Sequence, residues 1–208
     1  MRYPASALLL AALLAQPAGA QPAGPGGVAD KVAAVQRGLA GLLDRAGEAL
    51  HANDRFAATE ALNEARHLGY FATHAWGVRG QARDAFRGAD ESVREARHLL
   101  QNGRPEAAAD TLLAAASSLG RERLDRTAQD PSPPTAPELR EMAGRTVLSA
   151  DGKGLGEVSG VAGGDGGLAL MVGSGGMLGF GEETWTVPAE AVLLGERYVV
   201  VVGGGPAS

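Results

Sequence analysis

A glycine-rich stretch between two alternating apolar segments constrains this chain more than any other part of it. Residues 172–188 read VGSGGMLGFGEETWTVP, and glycine gives the backbone the freedom that a tight corner needs. Apolar residues alternate on both sides of the corner: Leu168, Leu170, Val172, Trp185 and Val187. Because side chains alternate between the faces of a strand, this pattern predicts strand, corner, strand. Further strands predicted at 146–149, 155–161 and 197–202 would close a small antiparallel barrel.

The corner resembles that of the PRC-barrel family, whose members carry a GG-x-LG-x-G corner and a following strand that ends in Val-Pro. The residues that carry the resemblance are Gly175, Gly176, Leu178, Gly179, Gly181, Val187 and Pro188. The likeness covers residues 138–202. PRC barrels are chiefly binding and assembly modules, so the resemblance implies a barrel that contacts a protein partner. Its contact surface would be the corner, with Phe180, and the strand around Trp185.

Before this region, apolar residues recur at spacings of three and four, which is typical of amphipathic helices. Residues 28–50 predict a first helix. A second, short helix is expected to end at Gly69, because glycine terminates helices well. The same spacing then continues from Phe71 to Leu100, so we expect one long third helix with a kink near residues 77–80, where two glycines disfavour helix.

The helical part reads as two similar hairpins. Six apolar positions of the first recur fifty residues later: Ala46, Leu50, Ala57, Ala58, Leu62 and Ala65 correspond to Ala96, Leu100, Ala107, Ala108, Leu112 and Ala115. This offset indicates an internal duplication and argues against tetratricopeptide repeats, whose period is about 34 residues. The segment SVREARHLLQNGRPEAAADTLLAAA also resembles YfdX-like secreted helical proteins. We therefore expect an α+β protein, with an all-α four-helix bundle of two hairpins at 28–127 followed by the small antiparallel barrel.

Composition marks the remaining boundaries. Residues 1–20 carry an early arginine, an apolar run and small residues before a cleavage site, so they are predicted to be a signal peptide. Residues 21–27 and 203–208 would be flexible ends, and the prolines within 128–137 predict a linker. Because the chain has no cysteine, we expect neither a disulfide nor an N-terminal lipid anchor.

Charge and motifs argue against several classes of function. The net charge is −5 at pH 7, whereas phosphate binding rests on concentrated positive charge, so we expect no nucleic-acid partner. Beyond the signal, no apolar run approaches the roughly 20 residues of a membrane span. There is no cysteine nucleophile and no G-x-S-x-G elbow, so we predict no catalytic residues. We predict no metal site and no cofactor, because no two histidines stand at the i, i+4 spacing of paired ligands.

Aromatic residues concentrate in one place in the helical part. Tyr70, Phe71 and Trp76 are candidates for partner binding, since aromatic side chains anchor protein interfaces, and core packing is the other interpretation. The sequence thus favours a secreted, periplasmic, non-enzymatic adaptor that binds a protein partner in the cell envelope. The alternative is a stress protein that binds a small ligand, a metal or a tetrapyrrole in the bundle, where His74 and the aromatic residues would line the pocket.

Overall fold

The computed structural model describes residues 27–122, 133–164, 167–174 and 183–203. Helices come first and a sheet follows, so the α+β class is confirmed. The four long helices are α1 (Val28–His51), α2 (Arg55–His74), α3 (Gly80–Gln101) and α4 (Pro105–Arg121). Helix α1 packs against α2 and α4, and α3 packs against the same two helices. The four helices therefore form the predicted bundle.

Small residues bring the helices of the bundle close together. Ala46, Ala65, Ala96 and Ala108 are fully buried, and they lie among the buried leucines of the core. A Cβ atom at Gly47 of α1 would come within 2.6 Å of Leu113 Cγ of α4, which is closer than packed atoms approach. The alanine-rich composition of the helices thus has a structural role, since larger side chains would force them apart.

Between α2 and α3 the structure differs from the sequence-based prediction. Helix α2 does not end at Gly69 but continues to His74, and no single helix runs from Phe71 to Leu100. Residues 75–79 form a break, in which Gly77 adopts a positive φ of 79°. Here the N–H of Trp76 donates a hydrogen bond to the carbonyl oxygen of Leu194, at 2.8 Å. A contact with the sheet therefore replaces the helical hydrogen bonding that the local pattern predicts.

The two hairpin corners are alike. Helix α1 ends at His51 and α2 begins at Arg55, while α3 ends at Gln101 and α4 begins at Pro105, so the corners stand fifty residues apart. Asn53 (φ 57°) and Gly103 (φ 70°) occupy the same position in the two corners, and both adopt the left-handed conformation that ends many helices.

Six strands form one sheet. They are β1 (Thr146–Ser149), β2 (Gly154–Gly164), β3 (Gly167–Ser174), β4 (Glu183–Pro188), β5 (Val192–Leu194) and β6 (Tyr198–Val201), and a 3-10 turn (Ala189–Ala191) joins β4 to β5. The order across the sheet is β4-β3-β2-β1-β6-β5. Strands β1 and β6 run parallel, whereas the other neighbouring pairs are antiparallel.

The expected closed antiparallel barrel is not what these strands form. The sheet is mixed, because β6 inserts beside β1 in the parallel direction. It is also open: within the described ranges no ladder joins β4 to β5, and these two strands are its edges. Among the described strands, the short β5 pairs only with β6, through Val192, Leu193 and Leu194, so its outer side does not reach β4.

Alternating residues of the sheet contribute to two cores. Leu148, Leu193 and Val200 join the core of the bundle, so helices and sheet share one apolar interior. The opposite face has its own core, which includes Val147, Val158, Leu170, Val172, Val187, Val199 and Val201. A short helix, α5 (Ala136–Glu141), covers this second core with Leu139 and Met142. It begins inside the segment predicted as linker.

The turn between β1 and β2 packs closely against helix α1 of the bundle. A Cβ atom at Gly38 of α1 would overlap the carbonyl oxygen of Ala150, in the turn between β1 and β2. In the same turn, a Cβ atom at Gly152 would come within 2.8 Å of Leu42 Cδ1. Both glycines thus permit an approach of α1 to the sheet that any side chain would block.

Candidate functional site

The outer edge of β5, termed here the capped edge, is covered by the helical part. Lys31 of α1 donates a hydrogen bond from Nζ to the carbonyl oxygen of Val192, at 3.1 Å. The N–H of Trp76 donates to the carbonyl oxygen of Leu194, at 2.8 Å, and Ala75 and Gly195 form an isolated bridge. Backbone groups of an edge strand would otherwise be free to pair with another chain. Helices α1 and α2 thus close this edge.

Lys31 is unusual because it is a buried cation. Only 3% of its surface is exposed. Burial lowers the pKa of its ammonium group, since a charge is costly to remove from water, and the negative charge of Glu190 opposes that shift. Lys31 stands four residues before Val35, which places it on the apolar face of α1. This spacing could have identified Lys31 as a buried residue from the sequence.

The aromatic residues singled out in the sequence lie where α2 meets the turn between β5 and β6. Phe71 is 1% exposed, and its ring lies so close to Gly195 that a Cβ atom there would come within 2.9 Å of Phe71 Cδ2. Trp76 is half-buried and packs against the second core. These two side chains therefore contribute to the packing between helices and sheet.

Tyr70 is half-buried, and its ring contacts three neighbouring side chains. The ring stacks on that of His74, with centroids 4.2 Å apart, and the guanidinium carbon of Arg197 lies 5.2 Å from the Tyr70 centroid. Tyr198 approaches edge-on at 6.1 Å. Because the ring contacts an imidazole on its own helix and a cation and a second ring from the sheet, Tyr70 links the end of α2 to the β5–β6 turn.

The two histidines of this junction, His67 and His74, also contact neighbouring groups of the protein. His74 Nδ1 lies 2.8 Å from the carbonyl oxygen of Tyr70, to which it can donate a hydrogen bond. The ring of His67 packs against Tyr198 at 5.6 Å, and burial together with the positive charge of Arg66 lowers the pKa of His67. Within the described ranges, no three His, Cys, Asp or Glu side chains cluster as metal ligands would.

The outer edge of β4, termed here the open edge, is arranged differently. Val187 is buried and Trp185 is half-buried against the second core, whereas Thr184 and Thr186 are exposed, as the alternation predicts. Beyond its pairing with β3, β4 makes no hydrogen bond to any other described residue. The indole Nε1 of Trp185 is buried and likewise lacks a partner among those residues.

Much of the predicted corner cannot be compared with the structure. Gly175, Gly176, Leu178, Phe180, Gly179 and Gly181 lie outside the described residues. Val187 and Pro188, which complete the motif, lie at the end of β4. The candidates thus divide between two places: Trp185 with Val187 and Pro188 on β4, and Tyr70, Phe71 and Trp76 beside the capped edge.

Comparisons with protein-family models, curated proteins and solved structures found no match to this chain. The likeness to PRC barrels therefore rests on the sequence motif alone. In the described part of the chain, no helix combines the length and the apolar character needed to cross a bilayer.

Proposed function

We propose that this protein is a non-enzymatic adaptor of the cell envelope that binds a protein partner by accepting an extended segment along the open edge of β4. The observation that carries the proposal is the contrast between the two ends of the sheet. Lys31 and Trp76 donate to the carbonyl oxygens of β5, whereas the outer side of β4 has no such donor among the described residues. Addition of a strand to an exposed edge is a common mode of peptide recognition.

The side chains of β4 suit this role. Natural sheets often protect an edge with lysine or with proline along the strand. Here the outward residues Thr184 and Thr186 are uncharged, and Pro188 stands only at the end of the strand. The resemblance to PRC barrels, which act in assembly, supports the same interpretation, and the predicted signal peptide supports export.

Photo-crosslinking tests the proposal. A photoreactive residue, p-benzoylphenylalanine, replaces Thr186 on the open edge of the full-length chain in the cells that produce it. Ser159 is the matched control, because it is an exposed residue of β2, which lies inside the sheet. We expect a crosslinked protein partner from position 186 and none from position 159. Equal labelling from both positions, or none from position 186, contradicts the proposal.

Hydrogen exchange then tests the mode of binding. With the captured partner added to the purified chain, the outward-facing backbone amides within residues 183–187 should exchange more slowly, because a new strand would hydrogen-bond to them. The variant Thr186→Lys should weaken binding, whereas Ser159→Lys should not. A partner that protects other residues and leaves β4 unchanged would show that binding uses a different surface.

A further inference from the structure

A pocket opens at the end of the bundle where the two hairpin corners meet, which we term the hairpin-end pocket. Its volume is about 420 Å³, within the roughly 300–1,000 Å³ that ligand pockets occupy. All four long helices contribute to it. Its apolar wall comes from Leu50, Leu62, Leu100 and Pro105.

The two hairpins contribute unlike residues at matching positions of the pocket. On the first hairpin the lining includes Asn53, Arg55 and Thr59. Fifty residues later the same positions hold Gly103, Pro105 and Ala109. The corners have the same backbone shape, since Asn53 and Gly103 both have a positive φ. The polar groups of the pocket therefore lie on the side of the first hairpin, opposite a largely apolar second side.

Arg55 supplies a positive charge to the lining of this pocket. In the described part of the chain, Arg45, Arg87 and Arg94 each pair with a carboxylate, but the guanidinium of Arg55 has no ion pair there. The nearest acidic neighbour in sequence, Asp54, accepts a hydrogen bond from the N–H of Ala57 as the cap of α2, at 3.0 Å. Arg55 is thus available to an external anion.

We propose that the hairpin-end pocket binds a small amphipathic carboxylate, with its alkyl chain against Leu50, Leu62 and Leu100 and its carboxylate on Arg55. A guanidinium pairs well with a carboxylate, because its N–H groups match the two oxygens. Asn53 adds an amide that can donate to the same head group. This site is separate from β4, so the proposal does not depend on the adaptor role.

Calorimetric titration of the full-length chain with octanoate tests the site, with octan-1-ol as the uncharged control. We expect one octanoate to bind, and binding of hexanoate to be weaker by about fourfold for each methylene removed. Arg55→Gln should weaken octanoate binding about tenfold and leave octan-1-ol unchanged. Arg37→Gln, which removes an exposed arginine of α1 outside the pocket, should change neither.

A second variant and a spectroscopic measurement keep the test independent of Arg55. Thr59→Phe, at an exposed lining position, should fill the pocket and abolish binding while the melting temperature is retained. Octanoate should shift the methyl NMR signals of Leu50, Leu62 and Leu100. Three results would overturn the proposal. They are no binding of octanoate to the wild type, wild-type affinity for octanoate in Arg55→Gln and Thr59→Phe, and methyl shifts confined to residues outside the pocket.

Discussion

At one end of the sheet, Val192 and Leu194 accept hydrogen bonds from Lys31 and Trp76, whereas at the other end β4 pairs with β3 alone among the described residues. Both are edge strands with similar backbone groups. The difference arises because the helices dock at the β5 end, where α1 and the end of α2 supply donors. The β5 edge is therefore closed by the part of the chain that packs beside it, whereas β4, which has no such neighbour among the described residues, is the edge at which we propose that a partner binds.

The largest expected effect comes from moving α1 away from the sheet. In Gly38→Ala the new Cβ atom would overlap the carbonyl oxygen of Ala150, so α1 must shift and Lys31 would lose its position at the capped edge. We expect the free energy of unfolding to fall by about 3 kcal/mol, as for a severe overpacking change. Urea denaturation measures this loss.

Gly41→Ala is the matched control for Gly38→Ala. Gly41 lies on the same helix, and a Cβ atom there would meet nothing within 4 Å. Because alanine favours helix over glycine, this variant should gain up to about 1 kcal/mol. Equal effects of the two substitutions would show that the approach of Gly38 to Ala150 does not limit the packing of α1 on the sheet.

An intermediate effect is expected when the cap on β5 is removed. Lys31→Met leaves the carbonyl oxygen of Val192 without its donor, which by itself costs about 1–3 kcal/mol, while removal of a buried charge offsets part of that loss. We expect a net destabilisation of about 1 kcal/mol near pH 7, measured by thermal or urea unfolding.

The contribution of the Lys31 charge can be isolated by measuring the free energy of unfolding of the wild type and of Lys31→Met as a function of pH. Burial holds the pKa of Lys31 below the ordinary value of 10.5, so as the pH rises the folded chain loses this proton before the unfolded chain does. The unfolded state then binds more protons, and wild-type stability should rise with pH between the lowered pKa and 10.5 relative to Lys31→Met. If the free energy of unfolding depends on pH in the same way in both proteins, the prediction that Lys31 carries a buried charge is wrong.

The smallest expected effect is at the open edge. Thr186→Lys places a charge on an exposed position of β4, where the strand makes no hydrogen bond to any described residue outside its pairing with β3. The free energy of unfolding should change by no more than about 0.5 kcal/mol, whereas binding of a partner strand should weaken. A large loss of stability in Thr186→Lys would show that β4 is covered within the chain itself, and the contrast between the edges would then fail.

Local patterns in the sequence predict which segments are helical better than they predict where each helix ends. Spacings of three and four reflect the apolar faces that the bundle buries, and both hairpin corners follow from them. The same spacing carries on through Phe71, Ala75, Val78 and Ala82, so it predicts one continuous helix, and the glycines indicate only a kink near residues 77–80, where the chain in fact breaks between α2 and α3. At the break Trp76 donates a hydrogen bond to Leu194, and no local pattern reports a partner so distant in the chain.

In the sheet, too, local patterns do not report which distant segments come into contact. Alternation correctly assigns Trp185 and Val187 to the inner face of β4 and Thr184 and Thr186 to the outer face. It does not report which strands become neighbours, so the parallel pairing of β1 with β6 and the open edges were not predicted. Of the candidate site, the inward position of Trp185 on β4 follows from the sequence, whereas the capping of β5 by Lys31 depends on how α1 docks, which no local pattern reports.

The place of β6 sets an order of events during synthesis. This strand lies between β1 and β5, yet among the described strands it is the last to leave the ribosome. Until Tyr198–Val201 has emerged, β1 lacks its parallel neighbour and Leu148 lacks part of the apolar surface that surrounds it in the finished protein. Pairings between distant segments form slowly and leave apolar surface exposed meanwhile. The sheet therefore cannot be completed, and part of its apolar surface stays exposed, until Tyr198–Val201 has paired with β1.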